Sequence, residues 1–130
     1  MSTNYDSFIR SFRKATKGFD SETLAIVQKK LAFDILSGVV ARTPVLTGRA
    51  RGGWQVTIGA PTDLDSGNED KSGLTVTANA QTVLANLGVF QIVYIQNNVE
   101  YIGYLEEGTD KMAPFKMMAL TLQEQEGVFG

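Results

Sequence analysis

Apolar residues recur at helical spacing from the start of the chain. Tyr5, Phe8, Ile9 and Phe12 stand at i, i+3, i+4 and i+7, with Arg10, Arg13, Lys14 and Lys17 mostly elsewhere on the wheel. Residues 2–19 therefore predict a short amphipathic helix, stopped at Gly18. Residues 1–19 are either a helix packed on the main domain or an arm that docks on a partner through Tyr5, Phe8 and Phe12. A second helix begins at Asp20 or Ser21, whose side chains accept hydrogen bonds from first-turn amides. Its stripe of Leu24, Val27, Leu31, Ile35 and Val39 is widened by Ile26, Phe33, Leu36 and Val40, so it is covered on more than one side. It ends before Pro44, because a proline disfavours helical geometry at the preceding Thr43. About 22 residues at 1.5 Å each reach roughly 33 Å, enough to cross a small domain.

The period then changes. Trp54, Val56 and Ile58 alternate with Gln55, Thr57 and Gly59, as in a half-buried strand with Trp54 as a core anchor. Leu74 to Thr77 reads as a second short strand, and Phe90 to Gln96, apolar on both parities, as a central strand covered on both faces. Ala78 to Leu87, before Gly88, suits a short helix, and Tyr101 to Glu107, closed by Gly108, suits another. Pro114 at a first helical position opens a last helix with Phe115, Met118 and Leu122 along one side. Between the first two strands, residues 61–73 are polar, acidic and rich in Asp, Ser and Gly, which predicts a mobile loop. Residues 20–130 thus predict one α+β domain: a small, mostly antiparallel sheet packed against one long helix, with short N-terminal and C-terminal helices.

Composition narrows the class. A chain of 130 residues with 43% hydrophobic and 20% charged residues suits one folded domain with a single core. There is no cysteine, so no disulfide framework, thiolate metal site or thiol nucleophile is available, and there is no histidine, the commonest general base and metal ligand. No apolar run approaches the ~20 residues of a membrane span, and no signal-peptide core opens the chain, so a cytoplasmic protein without a membrane partner is expected. The net charge of −2 hides a split: residues 1–62 sum to +5 and residues 63–130 to −7. If folding preserves that split, opposite faces of neighbouring copies attract, as a head-to-tail ring requires.

Where the long helix stops, Arg42-Thr43-Pro44-Val45-Leu46-Thr47-Gly48-Arg49-Ala50-Arg51 leads into Trp54, the only tryptophan. The sequence reads as an exposed basic elbow beside an aromatic anchor, with Pro44 and Gly48 as structural anchors and Arg49 and Arg51 as contact residues. This stretch, continued through Gly52-Gly53-Trp54 to Pro61, is similar to the neck or tail-completion proteins of long-tailed bacteriophages, often described as minor tail components. The likeness extends to the run from Asn97 to Thr109 and to Lys111-Met112-Ala113-Pro114. It implies a non-enzymatic virion part, made in the host cytoplasm, that joins a filled head to a tail. Its partners would be further copies in a ring, head-side connector or stopper proteins, and a tail terminator or tail tube protein. In that family the segment holding Tyr101, Tyr104, Leu105, Gly108 and Thr109 lies near subunit contacts, although an internal corner anchored by Gly108 and Pro114 accounts for it equally. Tyr104, Glu106, Glu107, Thr109 and Lys111 are the interface candidates here.

Reactive constellations are scarce. Glu106 and Glu107 are adjacent, and neighbours on a helix point ~100° apart, so they read as a solvated helix end rather than a catalytic pair. Asp63, Asp65, Asn68, Glu69 and Asp70 hint at calcium, yet the sixth and twelfth places of such a loop hold Asn68 and Leu74 instead of glycine and glutamate. Gly48, Gly52 and Gly53 match neither a dinucleotide fingerprint nor a phosphate-binding loop. No catalytic residue, metal or cofactor is expected. The rival reading is a nucleic-acid-binding module that uses the basic N-terminal half, with Arg49 and Arg51 on phosphate and Trp54 against a base. In a neck the same arginines face either DNA passing non-specifically through a lumen or the acidic edge of a neighbouring copy.

Overall fold

The computed structural model describes residues 3–129, and side chains within 6–128. Among the described residues six helices and one two-stranded sheet follow one another: α1 (Thr3–Ala15), α2 (Ser21–Arg42), α3 (Arg49–Gly52), β1 (Trp54–Ile58), α4 (Leu74–Leu84), β2 (Val93–Asn97), α5 (Ile102–Glu107) and α6 (Met117–Phe129). The fold is α+β, with its antiparallel strands paired Trp54 to Asn97, Val56 to Ile95 and Ile58 to Val93.

The long helix starts where its cap predicts. The Asp20 carboxylate accepts from the Thr23 amide at 2.7 Å and so satisfies an otherwise unpaired first-turn donor. At the other end Thr43 leaves helical geometry with φ −83° and ψ 132°, as the following proline demands. In between, α2 buries Ala32, Ile35, Leu36, Val39 and Val40 against α4, α6 and both strands. Leu36 and Val39 are fully buried, as is Met117 of α6, and Leu84 of α4 and Trp54 of β1 complete the centre of the core. α1 lies along α6, where the Ser7 hydroxyl donates to both carboxylate oxygens of Glu126, at 2.8 and 3.0 Å.

Three elements differ from expectation. Leu74–Thr77 is the first turn of α4, not a strand. Its β-branched alternation is overruled by the buried Asp70, whose carboxylate accepts from the Gly73 and Val76 amides at 3.0 Å each and from the Ser72 hydroxyl at 3.1 Å. With its N-terminus capped, the helix buries Val76, Ala80 and Leu84 at four-residue intervals.

Phe90–Gln96 is likewise no central strand. Only Val93–Asn97 is extended, every position is half-buried, and β1 is its single partner. Among the described residues no second layer covers its other face, where Phe90 and Ile92 stay exposed; the loop reaches only its polar end, where Gln96 exchanges two hydrogen bonds with the Thr62 backbone and Asn98 donates to the carbonyls of Thr62 and Leu64.

Pro114, finally, does not open α6. The Phe115 and Lys116 amides are taken by the carbonyls of Leu105 and Glu106, Lys116 turns the chain with φ 51°, and the helix begins at Met117. The buried stripe is consequently Met117, Thr121, Leu122 and Gln125, and Phe115 is exposed.

Candidate interaction surfaces

The elbow is built around Thr43. Its hydroxyl donates to the Val39 carbonyl at 2.6 Å and accepts from the Trp54 indole N–H at 2.8 Å, so helix end and first strand share one buried hydroxyl. Trp54, with only 7% of its surface exposed, is the expected core anchor. A tight turn then runs from Val45 to Gly48, closed by the Gly48 amide on the Val45 carbonyl. Gly48 has φ 85°, and a Cβ there would stand 2.7 Å from the Lys71 backbone nitrogen, so only glycine fits. Its carbonyl accepts from the amides of Gly52 and Asp70, at 2.8 and 2.9 Å. The loop of residues 61–73, expected to be mobile, is therefore pinned onto the elbow at one end and onto β2 at the other.

The two arginines are not free. Arg49 holds Asp65 in a two-pronged ion pair, with Nη1 donating to Oδ1 at 2.7 Å and Nη2 to Oδ2. That bond lowers the carboxyl of Asp65, helped by the Gly67 amide, and raises the guanidinium. Arg51 turns inward. Nη1 donates to the Lys71 carbonyl at 2.8 Å and Nη2 to the Thr43 carbonyl at 2.9 Å, tying the end of α2 to the start of α4. The open basic elbow read from the sequence is instead tied up within the chain, Arg49 in a surface ion pair and Arg51 as a clamp between two backbone carbonyls.

The next candidate region is the α5 corner. Glu69 lies close enough to the elbow to add to the negative field on Arg49. Tyr104 is 63% exposed, and Glu107, Thr109 and Lys111 are exposed with it. Glu106 is not a solvated helix end: its carboxylate accepts from the Met118 and Ala119 amides at 2.9 and 3.2 Å and so caps α6 from outside. Gly108, at φ 79° and ψ 178°, occupies backbone space that a side chain would exclude. It lets Thr109 and Met112 pair across the turn that ends near Pro114.

The third region is an apolar groove of about 410 Å³ between α1, the first half of α2 and the start of β2, lined by Leu24, Leu31, Ile35, Val93 and Ile95 together with Phe8 and Phe12. The rings of Phe8 and Phe12 lie parallel, 6.4 Å apart. The side chain of Tyr5, the third aromatic expected on this helix, lies outside the described residues. Phe90 forms the lip. Its segment is tied down by the Gln28 amide, which donates to the Gln91 carbonyl at 3.0 Å.

Sequence reasoning missed the two most outward apolar side chains. Leu46, at the tip of the elbow turn, is 84% exposed with φ 32°, and Phe90 is 87% exposed with φ 61°. Turn positions with positive φ ordinarily go to Gly, Asn or Asp. A bulky apolar residue between Pro44 and Gly48 was the available signal. Among the described residues no cluster of three or more His, Cys, Asp or Glu side chains is placed to hold a metal ion, and no helix is long and apolar enough to cross a membrane. Comparison with family models, with curated proteins and with solved structures found no match to this chain.

Proposed function

We propose that this chain is a structural joint: a non-enzymatic phage neck or tail-completion subunit that assembles in copies, as a ring, between head-side connector or stopper proteins and a tail terminator or tail tube. The observation that carries the reading is the outward display of Leu46 at the elbow, Phe90 at the groove lip and Tyr104 on α5. Water-exposed apolar side chains on turns stabilise nothing within the chain and gain their worth when another surface covers them. The elbow and corner motifs that resemble the phage family coincide with two of these places. Weak individual contacts suffice, since a ring multiplies them through effective concentration. Removing the chain from a phage that carries it is expected to leave filled heads and separate tails under the electron microscope. Intact, infectious virions made without it would refute the reading.

A nucleic-acid-binding role is the second reading, and it draws support from α1 rather than the elbow. Arg10, Arg13 and Lys14 of α1 and Lys17 just after it are all exposed, and none takes part in the ion pairs among the described residues. Phosphate binding through them would weaken steeply with salt, whereas apolar assembly would not. Retention of duplex DNA that falls steeply between low and moderate salt, without any self-association, would favour this second reading over the joint.

A further inference from the structure

We infer that α1 is a releasable strap: it lets go of α6 and unwinds while the rest of the domain stays folded, opening the apolar groove that it now flanks. The inference is independent of the joint reading. The core is complete without α1, because the buried cluster draws on α2, α3, β1, α4, α5 and α6. Among the described side chains of α1, residues 6–15, none is buried. Phe8 and Phe12 are half-buried, and Ile9 is 44% exposed. Closely packed elements leave few voids larger than a water molecule, yet the groove between α1 and α2 keeps about 410 Å³ unfilled. The Ser7 hydroxyl ties the helix to the Glu126 carboxylate of α6 in a part-buried contact, where water competes for both groups.

The link to α2 supplies the hinge. Gly18 has φ 85°, a geometry that glycine adopts freely, and a Cβ there would meet nothing within 4 Å. The backbone turn, not packing, is what calls for glycine. Phe19, the next residue, is 43% exposed, and beyond it Asp20 fixes the start of α2 by capping the Thr23 amide. A helix of 13 residues is marginal in water once its packing is lost, so release and unwinding go together. Segments with few buried apolar contacts open at low free-energy cost, whereas α2, which fills the core, opens only with the whole domain. Closed, α1 makes one wall of the groove with Phe8 and Phe12. Open, it leaves Leu24, Leu31, Ile35 and Val93 to water and frees a segment that carries Arg10, Arg13 and Lys14.

Amide hydrogen exchange on the full chain reads the strap directly. Amides of residues 10–14 are expected to exchange roughly 100-fold faster than those of the fully buried Leu36 and Val39. Their rates are expected to change little in sub-denaturing urea, since local release exposes little surface, while rates at Leu36 and Val39 climb. Two variants separate the strap from the core. G18A, which forces a side chain into the left-handed turn of the closed state, is expected to speed exchange in α1 roughly 5- to 30-fold. E126A, altered on α6, is expected to speed it roughly 2- to 10-fold. Neither is expected to move exchange at Leu36 or Val39. Residues 10–14 exchanging as slowly as Leu36, a urea dependence in step with the core, or variants that leave α1 unchanged or speed both regions alike would overturn the inference. Head–tail joining is a separate readout, so a strap that never opens would leave the joint reading standing.

Discussion

Arg51 shows how one side chain changes meaning between sequence and structure. Beside Arg49 in a run of ten residues it reads as surface charge, yet its guanidinium bridges the Thr43 and Lys71 carbonyls, which belong to the ends of two different segments. Charged donors on backbone carbonyls are worth about 1.5–3 kcal/mol, so Arg51→Ala is expected to lower the unfolding free energy by about 2 kcal/mol in a urea titration. Arg49→Ala, which removes a pair with each side chain about a third exposed, is expected to move the midpoint far less. Equal losses from the two substitutions would contradict the division between internal clamp and surface pair. Thr43 carries the same lesson, since a residue noted only for preceding a proline proves to be the buried hydroxyl on which Trp54 hangs.

At the level of elements, ends decide identity. α4 and α6 both begin where a carboxylate meets their first amides: Asp70, a few residues upstream, for α4, and Glu106, on α5, for α6. Local propensity favoured a strand at Leu74–Thr77 and a helix start at Pro114, and both preferences gave way to these caps. Replacement of Glu106 by Ala is expected to destabilise the fold by about 1–2 kcal/mol and to loosen amide protection in the first turn of α6. The neighbouring Glu107→Ala is expected to be silent, because that side chain is exposed and caps nothing. Unchanged hydrogen exchange at Met118 and Ala119 in the Glu106 variant would show that the cap contributes little.

For the molecule as a whole, acid is the informative stress. Burial pushes the Asp70 carboxyl up, but the Val76 and Gly73 amides and the Ser72 hydroxyl outweigh it and hold it below the ordinary carboxylate value. Asp65 is lowered by Arg49 and the Gly67 amide, and Asp20 by the Thr23 amide. A carboxylate whose folded value lies below its unfolded one binds fewer protons when folded. Its stabilising contribution is complete above the unfolded value and disappears as pH falls through the folded one. Stability is therefore expected to be flat near neutrality and to drop from about pH 4 downward. Trp54, single and buried, reports the transition by fluorescence. Asp70→Asn is expected to flatten that drop, and an acid limb as steep as the parent's would assign the effect to other groups.

The sequence alone determined the α+β class, the span and capping of the long helix, the first strand with its tryptophan anchor, and the α5 turn closed by Gly108. Each of these is set by period, proline and glycine, which act between residues a few positions apart. It placed a helix at Ala78–Leu87 but took the first turn of α4 for a strand, although the capping Asp70 lies only a few residues upstream; it did not determine the late start of α6, the two-stranded sheet or the internal use of the arginines. Those depend on partners distant in the chain: Glu106 reaching α6, Thr62 covering Gln96, and the Lys71 carbonyl meeting Arg51. Leu46 and Phe90 stand outward for the same reason, since whether an apolar side chain is covered is settled only when the chain has closed on itself and left some surface over.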